Sequence, residues 1–165
     1  MVKFYFVVNR YIEYLHKVDN LVPFNKESSR PYIGIVLEID GIKYYAPLTS
    51  PKPKHKKLKN SKDFRKINHG LYGAINFNNM IPIPDTELRS IDFMQIADIK
   101  YRRLLQNQYK FIVQDWNNIL KTAQGLRKLV LSSDENLTPY DKEVKKRCCN
   151  LALLEEKCKE FNRQN

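Results

Sequence analysis

Two hydroxyl groups and one ammonium group lie close together along the chain at Thr49, Ser50 and Lys52. Side chains of these types can hold a phosphodiester and stabilise the negative charge that develops in its pentacoordinate transition state. RNA carries its own nucleophile, the 2′-hydroxyl, so its cleavage needs only alignment, proton transfer and a cationic contact. A lone Thr-Ser pair is more often a turn or a helix cap. The motif therefore indicates phosphate chemistry without identifying the phosphate.

Positive charge is concentrated in the segment that begins at Lys52. The 165 residues include 29 lysines and arginines and 18 acidic residues, which gives a net charge of +11. Residues 52–66 carry +7 of this charge, because eight basic side chains share the segment with one acid. Such an excess indicates a polyanionic partner, although a basic run can also be a solvated surface. Pro51 and Pro53 stiffen this segment and a predicted strand end presents it, which argues against a solvated loop. We favour nucleic acid as the partner over an acidic membrane surface.

The composition argues against several other classes of protein. The chain lacks glycine-rich phosphate loops and the Gly-x-Ser-x-Gly motif, and it has only five glycines. Its histidines, His16, His55 and His69, are scattered, and its three cysteines lack zinc spacing. We therefore expect no metal or other cofactor and no disulfide. No apolar stretch is long enough for a membrane span or a signal peptide, so we expect a cytoplasmic protein.

A β-hairpin is predicted to deliver the chain to this motif. Residues 33–39 and 42–48 are two apolar runs joined by Asp40-Gly41, a pair typical of a tight hairpin turn. Both arms are apolar enough to lie in the core of a sheet. The other predicted elements of the N-terminal half are a strand at 3–8, a helix at 10–18 with Tyr11, Ile12 and Leu15 facing inward, an irregular segment at 19–30 and extended chain at 73–83.

The C-terminal half has the periodicity of helices. Apolar residues recur every three or four positions from Leu105 to Leu126, which predicts one face of a helix. A last helix is predicted to begin at Thr138-Pro139 and to run to Phe161. Strands followed by helices indicate the α+β class, with an antiparallel sheet, packed helices and a helical C-terminal half. We expect residues 1–165 to form a single domain.

The block Tyr-Ala-Pro-Leu-Thr-Ser-Pro-Lys at residues 45–52 resembles the ToxN/AbiQ toxins of type III toxin–antitoxin systems. The resemblance extends from residues 1–48 through 75–83 to 152–157. It implies a compact sheet core similar to the MazF/Kid toxins. It also implies a metal-independent endoribonuclease that cuts cellular and phage RNA to 2′,3′-cyclic phosphate and 5′-hydroxyl ends. The implied antitoxin is a repeat RNA that folds into pseudoknots, is processed by the toxin and inhibits it, usually in a closed protein–RNA ring, with abortive infection as the outcome.

The resemblance also assigns roles to individual residues. Thr49, Ser50 and Lys52 match the active-site block, so Lys52 would stabilise the phosphorane while the two hydroxyls bind the scissile phosphate. Tyr11 matches a tyrosine near the site and would stack on a base or orient the phosphate. Arg30 matches a basic residue that precedes a strand. The residues expected to contact the RNA are Arg30, Lys54, His55, Lys56, Lys57, Lys59, Lys62, Arg65 and Lys66.

Two other interpretations remain open. A non-enzymatic RNA-binding module would need only the basic segment, and it would bind RNA without cutting it. A protein that docks an acidic protein would bind that partner in preference to RNA. The Thr49-Ser50-Pro51-Lys52 motif favours the enzyme over both.

Overall fold

The structure is a computed structural model that describes residues 1–26 and 29–164. Within these residues the chain forms seven strands and six α-helices. The strands are β1 (Phe4–Val7), β2 (Tyr32–Ile39), β3 (Ile42–Thr49), β4 (Phe64–Lys66), β5 (Ala74–Asn76), β6 (Ile81–Pro82) and β7 (Leu88–Ser90). The helices are α1 (Asn9–His16), α2 (Pro53–Lys57), α3 (Ile99–Gln114), α4 (Trp116–Leu131), α5 (Pro139–Lys146) and α6 (Leu151–Gln164).

All the strand pairs described are antiparallel, in the order β4-β5-β3-β2-β1-β7, and β6 also pairs with β3. The predicted hairpin is confirmed, with Ile39 opposite Ile42 and a turn in which Asp40 and Gly41 both have positive φ. Asn, Asp and Gly favour such turns because they tolerate this backbone region. The predicted α+β class, with a helical C-terminal half, is also confirmed.

Helices α4 and α6 pack against the sheet and are tied to it by polar contacts. The hydroxyl of Tyr44 on β3 donates to the carboxylate of Glu155 on α6. Arg127 on α4 donates to the same carboxylate at 2.7 Å. Both predicted helical stripes supply buried residues, among them Leu105, Ile112, Ile119, Ala123 and Leu126 from the first and Val144, Leu151, Leu154 and Phe161 from the second.

Two predicted helices are each broken into two. The stripe from Leu105 to Leu126 spans α3 and α4, which meet at Asp115. The second stripe spans α5 and α6, which are separated at residues 147–150. The apolar spacing continues through both breaks, so periodicity alone does not reveal them. Tyr140, predicted to be buried, is instead half-exposed, with the Lys62 ammonium 5.8 Å from the centre of its ring.

The basic segment is more structured than predicted. It holds α2 and β4, and β4 extends the sheet by pairing with β5. The segment predicted to be irregular, 19–30, forms no helix or strand in its described residues, while Glu27 and Ser28 lie outside the described part. No helix among the described residues is long and apolar enough to cross a membrane.

Candidate active site

A pocket of about 270 Å³ lies where β3 ends. Its lining combines three cationic side chains with four hydroxyl groups, and none of its described lining residues is acidic. Such a surface suits a phosphate, because ammonium and guanidinium groups pair with its charge while hydroxyls donate to its oxygens. The lining residues are Lys26, Ser29, Arg30, Pro31, Leu48, Thr49, Ser50, Lys52 and Tyr101.

The β2–β3 pairing brings Arg30 beside the Thr-Ser-Pro-Lys motif. The two strands are antiparallel, so the start of β2 lies opposite the end of β3. The Leu48 N–H donates to the Pro31 carbonyl at 2.8 Å, which continues the pairing beyond the start of β2. On the other side, Thr49 pairs with Ala74 of β5. The motif therefore projects from a strand that is held on both edges.

Tyr101 enters the same pocket from the first turn of α3. Asp98 caps this helix, and its carboxylate accepts from the backbone N–H groups of Lys100 at 2.9 Å and Tyr101 at 3.1 Å. The Tyr101 hydroxyl donates to the Ser29 carbonyl at 3.4 Å. Burial raises the pKa of Tyr101, so its hydroxyl stays protonated and can donate to a ligand. Sequence reasoning missed this residue; the only local signal was the Asp98 cap, which locates the helix start but not its neighbours.

The positive charge at the pocket is not neutralised by a described carboxylate. Within residues 1–26 and 29–164, no ion pair involves Lys26, Arg30 or Lys52. Arg30 donates through Nε to the Phe24 carbonyl at 3.3 Å, which holds its side chain against the loop before β2. Arg30, which the resemblance assigned to RNA contact, thus lies beside the motif, and Lys26 adds a further cation to the pocket.

Tyr11 does not reach the pocket, which corrects the role that the resemblance assigned to it. Its side chain is fully buried, and its hydroxyl donates to the Pro82 carbonyl at 2.7 Å. Its ring packs edge-on against Phe161, with the ring centres 5.0 Å apart. A ring in this position cannot stack on a base. The helical periodicity, which placed Tyr11 facing inward, gave the right location.

His55 also differs from expectation, because it is 2% exposed and is no surface contact for RNA. The ring Nδ1 of His55 accepts a hydrogen bond from the Lys52 backbone N–H at 3.2 Å. The backbone N–H of His55 donates to the Lys52 carbonyl at 2.9 Å. This reciprocal pair caps the start of α2. His55 therefore contacts the backbone of the motif from inside the protein.

The remaining predicted RNA contacts fall into two groups. Lys54, Lys56, Lys57 and Lys59 are exposed and take part in no described ion pair. Lys62 instead contacts Asp141 at 2.6 Å, and Arg65 donates through Nη2 to Asp115 at 2.7 Å. The half-buried Lys66 donates its backbone N–H to the Asn60 side chain at 2.8 Å.

Metal ligands are not clustered in the described structure. Among residues 1–26 and 29–164, no group of three or more histidines, cysteines, aspartates or glutamates could hold a metal ion.

An antiparallel sheet with a cationic, hydroxyl-lined pocket at a strand end defines a candidate phosphodiester-binding protein. The sequence profile of the family described as toxin ToxN of type III toxin–antitoxin systems matches residues 3–159. An endoribonuclease ToxN from Pectobacterium atrosepticum is 37% identical over 172 residues, which cover 98% of this chain and 95% of the relative. This chain therefore belongs to the ToxN toxin family of type III toxin–antitoxin systems, as the block at residues 45–52 predicted.

Two solved structures share the whole fold. One, reported for selective toxin inhibition by a non-coding RNA pseudoknot in bacterial type III toxin–antitoxin systems, is 33% identical, has a TM-score of 0.86 and covers 98% of both chains. Another, reported for a processed non-coding RNA that regulates a bacterial antiviral system, is 36% identical with a TM-score of 0.79. The second match covers 96% of this chain and 98% of that chain.

Proposed function

We propose that this protein is a metal-independent endoribonuclease toxin that cleaves RNA in the pocket at the end of β3. The observation that carries the proposal is the convergence of Thr49, Ser50 and Lys52 with Arg30 and Tyr101 around one pocket, whose described lining holds no acidic residue. The relative from Pectobacterium atrosepticum is named an endoribonuclease, which supports the same activity here.

The reaction is an internal transesterification. The 2′-oxygen of the nucleotide before the cut attacks phosphorus, and the bond from phosphorus to the 5′-oxygen breaks. One proton leaves the 2′-hydroxyl and one arrives at the 5′-oxygen, so neither water nor a metal-bound nucleophile is consumed. The products are a 2′,3′-cyclic phosphate and a 5′-hydroxyl.

The pocket residues divide this work. Lys52 places a compact positive charge beside the nonbridging oxygens, where negative charge grows in the transition state. Thr49 and Ser50 donate hydrogen bonds to the scissile phosphate and fix its orientation. Arg30 can grip a neighbouring phosphate through the two ends of its guanidinium group. Tyr101 supplies a protonated hydroxyl in the same pocket.

The partner that we propose is a repeat RNA antitoxin that folds as a pseudoknot, is processed by the toxin and then blocks it in a closed protein–RNA assembly. The solved relatives support this, since one concerns toxin inhibition by an RNA pseudoknot and another a processed non-coding RNA. Release of the toxin would expose cellular and phage RNA to cleavage and abort infection. Four exposed lysines are available to both RNAs, namely Lys54, Lys56, Lys57 and Lys59.

The test is incubation of the purified protein with a mixed-sequence RNA in excess EDTA. Bound nucleic acid is first removed in high salt and its absence is checked by the ultraviolet absorbance ratio. We expect discrete cuts with 2′,3′-cyclic phosphate ends. Lys52→Ala and Ser50→Ala should slow cleavage by about 10²–10³-fold, the usual effect of removing one group that stabilises transition-state charge.

Two surface variants provide matched controls. Lys110→Ala and Ser90→Ala change exposed residues of α3 and β7 outside the pocket lining and should cut at the wild-type rate. Intact RNA together with salt-sensitive binding would contradict the proposal and support a non-enzymatic RNA-binding module. Cleavage that EDTA abolishes would contradict its metal independence.

A further inference from the structure

A tight turn at residues 67–73 packs against the backbone of residues 49–55, the segment that carries the motif. Gly73 has a φ of +87°, and a Cβ at this position would lie 1.9 Å from the Thr49 carbonyl oxygen. Gly70 has a φ of +89°, and a Cβ there would lie 2.7 Å from the His55 carbonyl group. Only glycine permits this close approach and this backbone region together. The turn therefore touches the backbone at both ends of the segment from Thr49 to His55.

His55 is the side chain that links this buried support to Lys52. It is 2% exposed, its ring centre lies 5.8 Å from that of Phe64, and its Nδ1 accepts from the Lys52 N–H at 3.2 Å. Because Nδ1 is the acceptor, the proton of the neutral ring lies on Nε2. The contact fixes the backbone from which the Lys52 side chain projects.

We infer that His55 is a positioning residue for RNA cleavage, which acts by holding the backbone N–H of Lys52 between the two points at which Gly73 and Gly70 contact the segment. The inference rests on the proposed function, because it concerns the placement of the Lys52 ammonium at the scissile phosphate. His55 does not line the pocket itself. A displacement of about 1 Å at such a group can cost up to about 10²-fold in rate.

The electrostatic setting keeps His55 neutral. Burial lowers the pKa of His55, and the charges of Lys52 and Lys54 lower it further. The elements packed against it present the Phe64 ring and the Gly70 backbone, while the next residue on β4, Arg65, is engaged with Asp115. A proton on Nδ1 would face the Lys52 N–H and end the contact.

The experiment compares two substitutions that keep the side chain large. His55→Phe fills the space without an acceptor, whereas His55→Gln retains one, and glutamine is a usual partner of the cap residue at this helical position. Single-turnover cleavage at saturating protein should fall about 10- to 100-fold in His55→Phe and stay within about threefold of wild type in His55→Gln. The affinity for RNA should change less than about twofold in both variants, because the buried His55 side chain does not line the pocket.

The pH profile gives a second readout. Wild-type cleavage should decline as the pH falls through the pKa of His55, which burial and the neighbouring lysines place below the ordinary histidine value of about 6.5. His55→Gln should lack this decline. A role limited to structure would leave the ratio of the two rates independent of pH.

Hydrogen exchange of the Lys52 amide separates this inference from the proposed function. We expect protection of this amide in wild type and in His55→Gln, and faster exchange in His55→Phe, with all three proteins checked by thermal unfolding. Equal cleavage by His55→Phe and wild type, or unaltered exchange of the Lys52 amide in His55→Phe, would overturn the inference. If wild type leaves RNA intact, the proposed function fails, and the amide measurement alone decides whether His55 positions Lys52.

Discussion

The two halves of the basic segment both carry an excess of positive charge, but their surroundings are opposite. In the front half, residues 52–59, the lysine side chains are exposed and take part in no described ion pair. In the back half, residues 60–66, Lys62, Asp63 and Arg65 each contact a charged residue of the helical C-terminal half. A run of positive charge therefore does not reveal its use until its carboxylate partners are known.

Asp63 links the back half to the helical C-terminal half through an ion pair with Arg147. Its side chain is 4% exposed and accepts from Arg147 at 2.6 and 2.8 Å. The hydrogen bonds that Arg147 donates to Asp63, together with the negative charge of Asp63, raise the pKa of Arg147, so its guanidinium group stays protonated. Lys62 reaches Asp141 on α5, and Arg65 reaches Asp115 at the junction of α3 and α4. These contacts join the sheet edge to the helices and leave the front half available to RNA.

The largest expected effect on stability comes from breaking the Asp63–Arg147 pair. Arg147→Met would remove the guanidinium from the buried Asp63 carboxylate, and because the Arg147 side chain is itself half-exposed, we expect a cost of about 1–3 kcal/mol, that of a buried acceptor left without its partner. Urea unfolding should show this decrease in the free energy of unfolding. The control is Lys57→Met in the front half, an exposed change expected to stay within about 0.5 kcal/mol. A similarly small effect for Arg147→Met would show that the Asp63–Arg147 pair does not stabilise the folded protein.

Neutralising the front half should weaken RNA binding without unfolding the protein. The triple variant Lys56→Gln, Lys57→Gln and Lys59→Gln removes three exposed charges. Each lysine that neutralises a phosphate contributes about 0.7 to the slope of log affinity against log salt for single-stranded RNA. We expect the slope to fall by about 2 and the urea midpoint to stay unchanged. An unaltered slope would remove these lysines from the RNA contact surface.

A matched change in the back half should lower the stability of the protein and leave the salt dependence of RNA binding unchanged. Arg65→Gln removes the partner of Asp115 in a partly exposed pair, and such pairs contribute up to about 1 kcal/mol after solvent screening. We expect a decrease of that size in stability and the wild-type salt dependence of RNA binding. A reduced salt slope in Arg65→Gln would assign this arginine to the RNA surface instead.

The smallest effect concerns stability in acid. Burial opposes ionisation of Asp115, but hydrogen bonds from Arg65 and Asn118 and the Arg65 charge lower its pKa overall. A lowered folded-state pKa means that the stabilisation is present above about 3.9, the ordinary value of aspartate, and is lost as the pH falls further. Urea unfolding between about pH 5 and 3 should show a shallower loss in Arg65→Gln than in wild type. Parallel curves would mean that Asp115 does not contribute to this loss.

The sequence predicts what depends on local chemistry, while the contacts between distant segments have to come from the structure. The hairpin was predictable because Asp40-Gly41 specifies a tight turn by its own backbone preferences. The Thr49-Ser50-Pro51-Lys52 motif was recognisable from its side-chain types and from the family block that it resembles. Tyr101 could not be placed, because it joins the pocket through the packing of α3 about fifty residues further along the chain.

The residues whose surroundings differ from the expectation illustrate the same point. His55 lies in a run of lysines and has the composition of a surface residue, yet Gly70 covers its backbone and its ring is buried. Lys62 and Arg65 resemble their lysine neighbours, but their carboxylate partners lie 79 and 50 residues away in sequence. Tyr11 is the reverse case, since its helical spacing gave its buried position while the family resemblance placed it at the site.

Single-turnover cleavage by two lysine variants tests the central claim that the front half performs the chemistry and the back half holds the segment in place. The substrate is an RNA with one mapped cut site, and the proteins are wild type, Lys52→Ala and Lys62→Ala, each at saturating concentration and below its unfolding temperature. We predict that Lys52→Ala slows cleavage by about 10²-fold or more, while Lys62→Ala stays within about twofold of wild type. Equal losses in the two variants, or a greater loss in Lys62→Ala, would contradict the account.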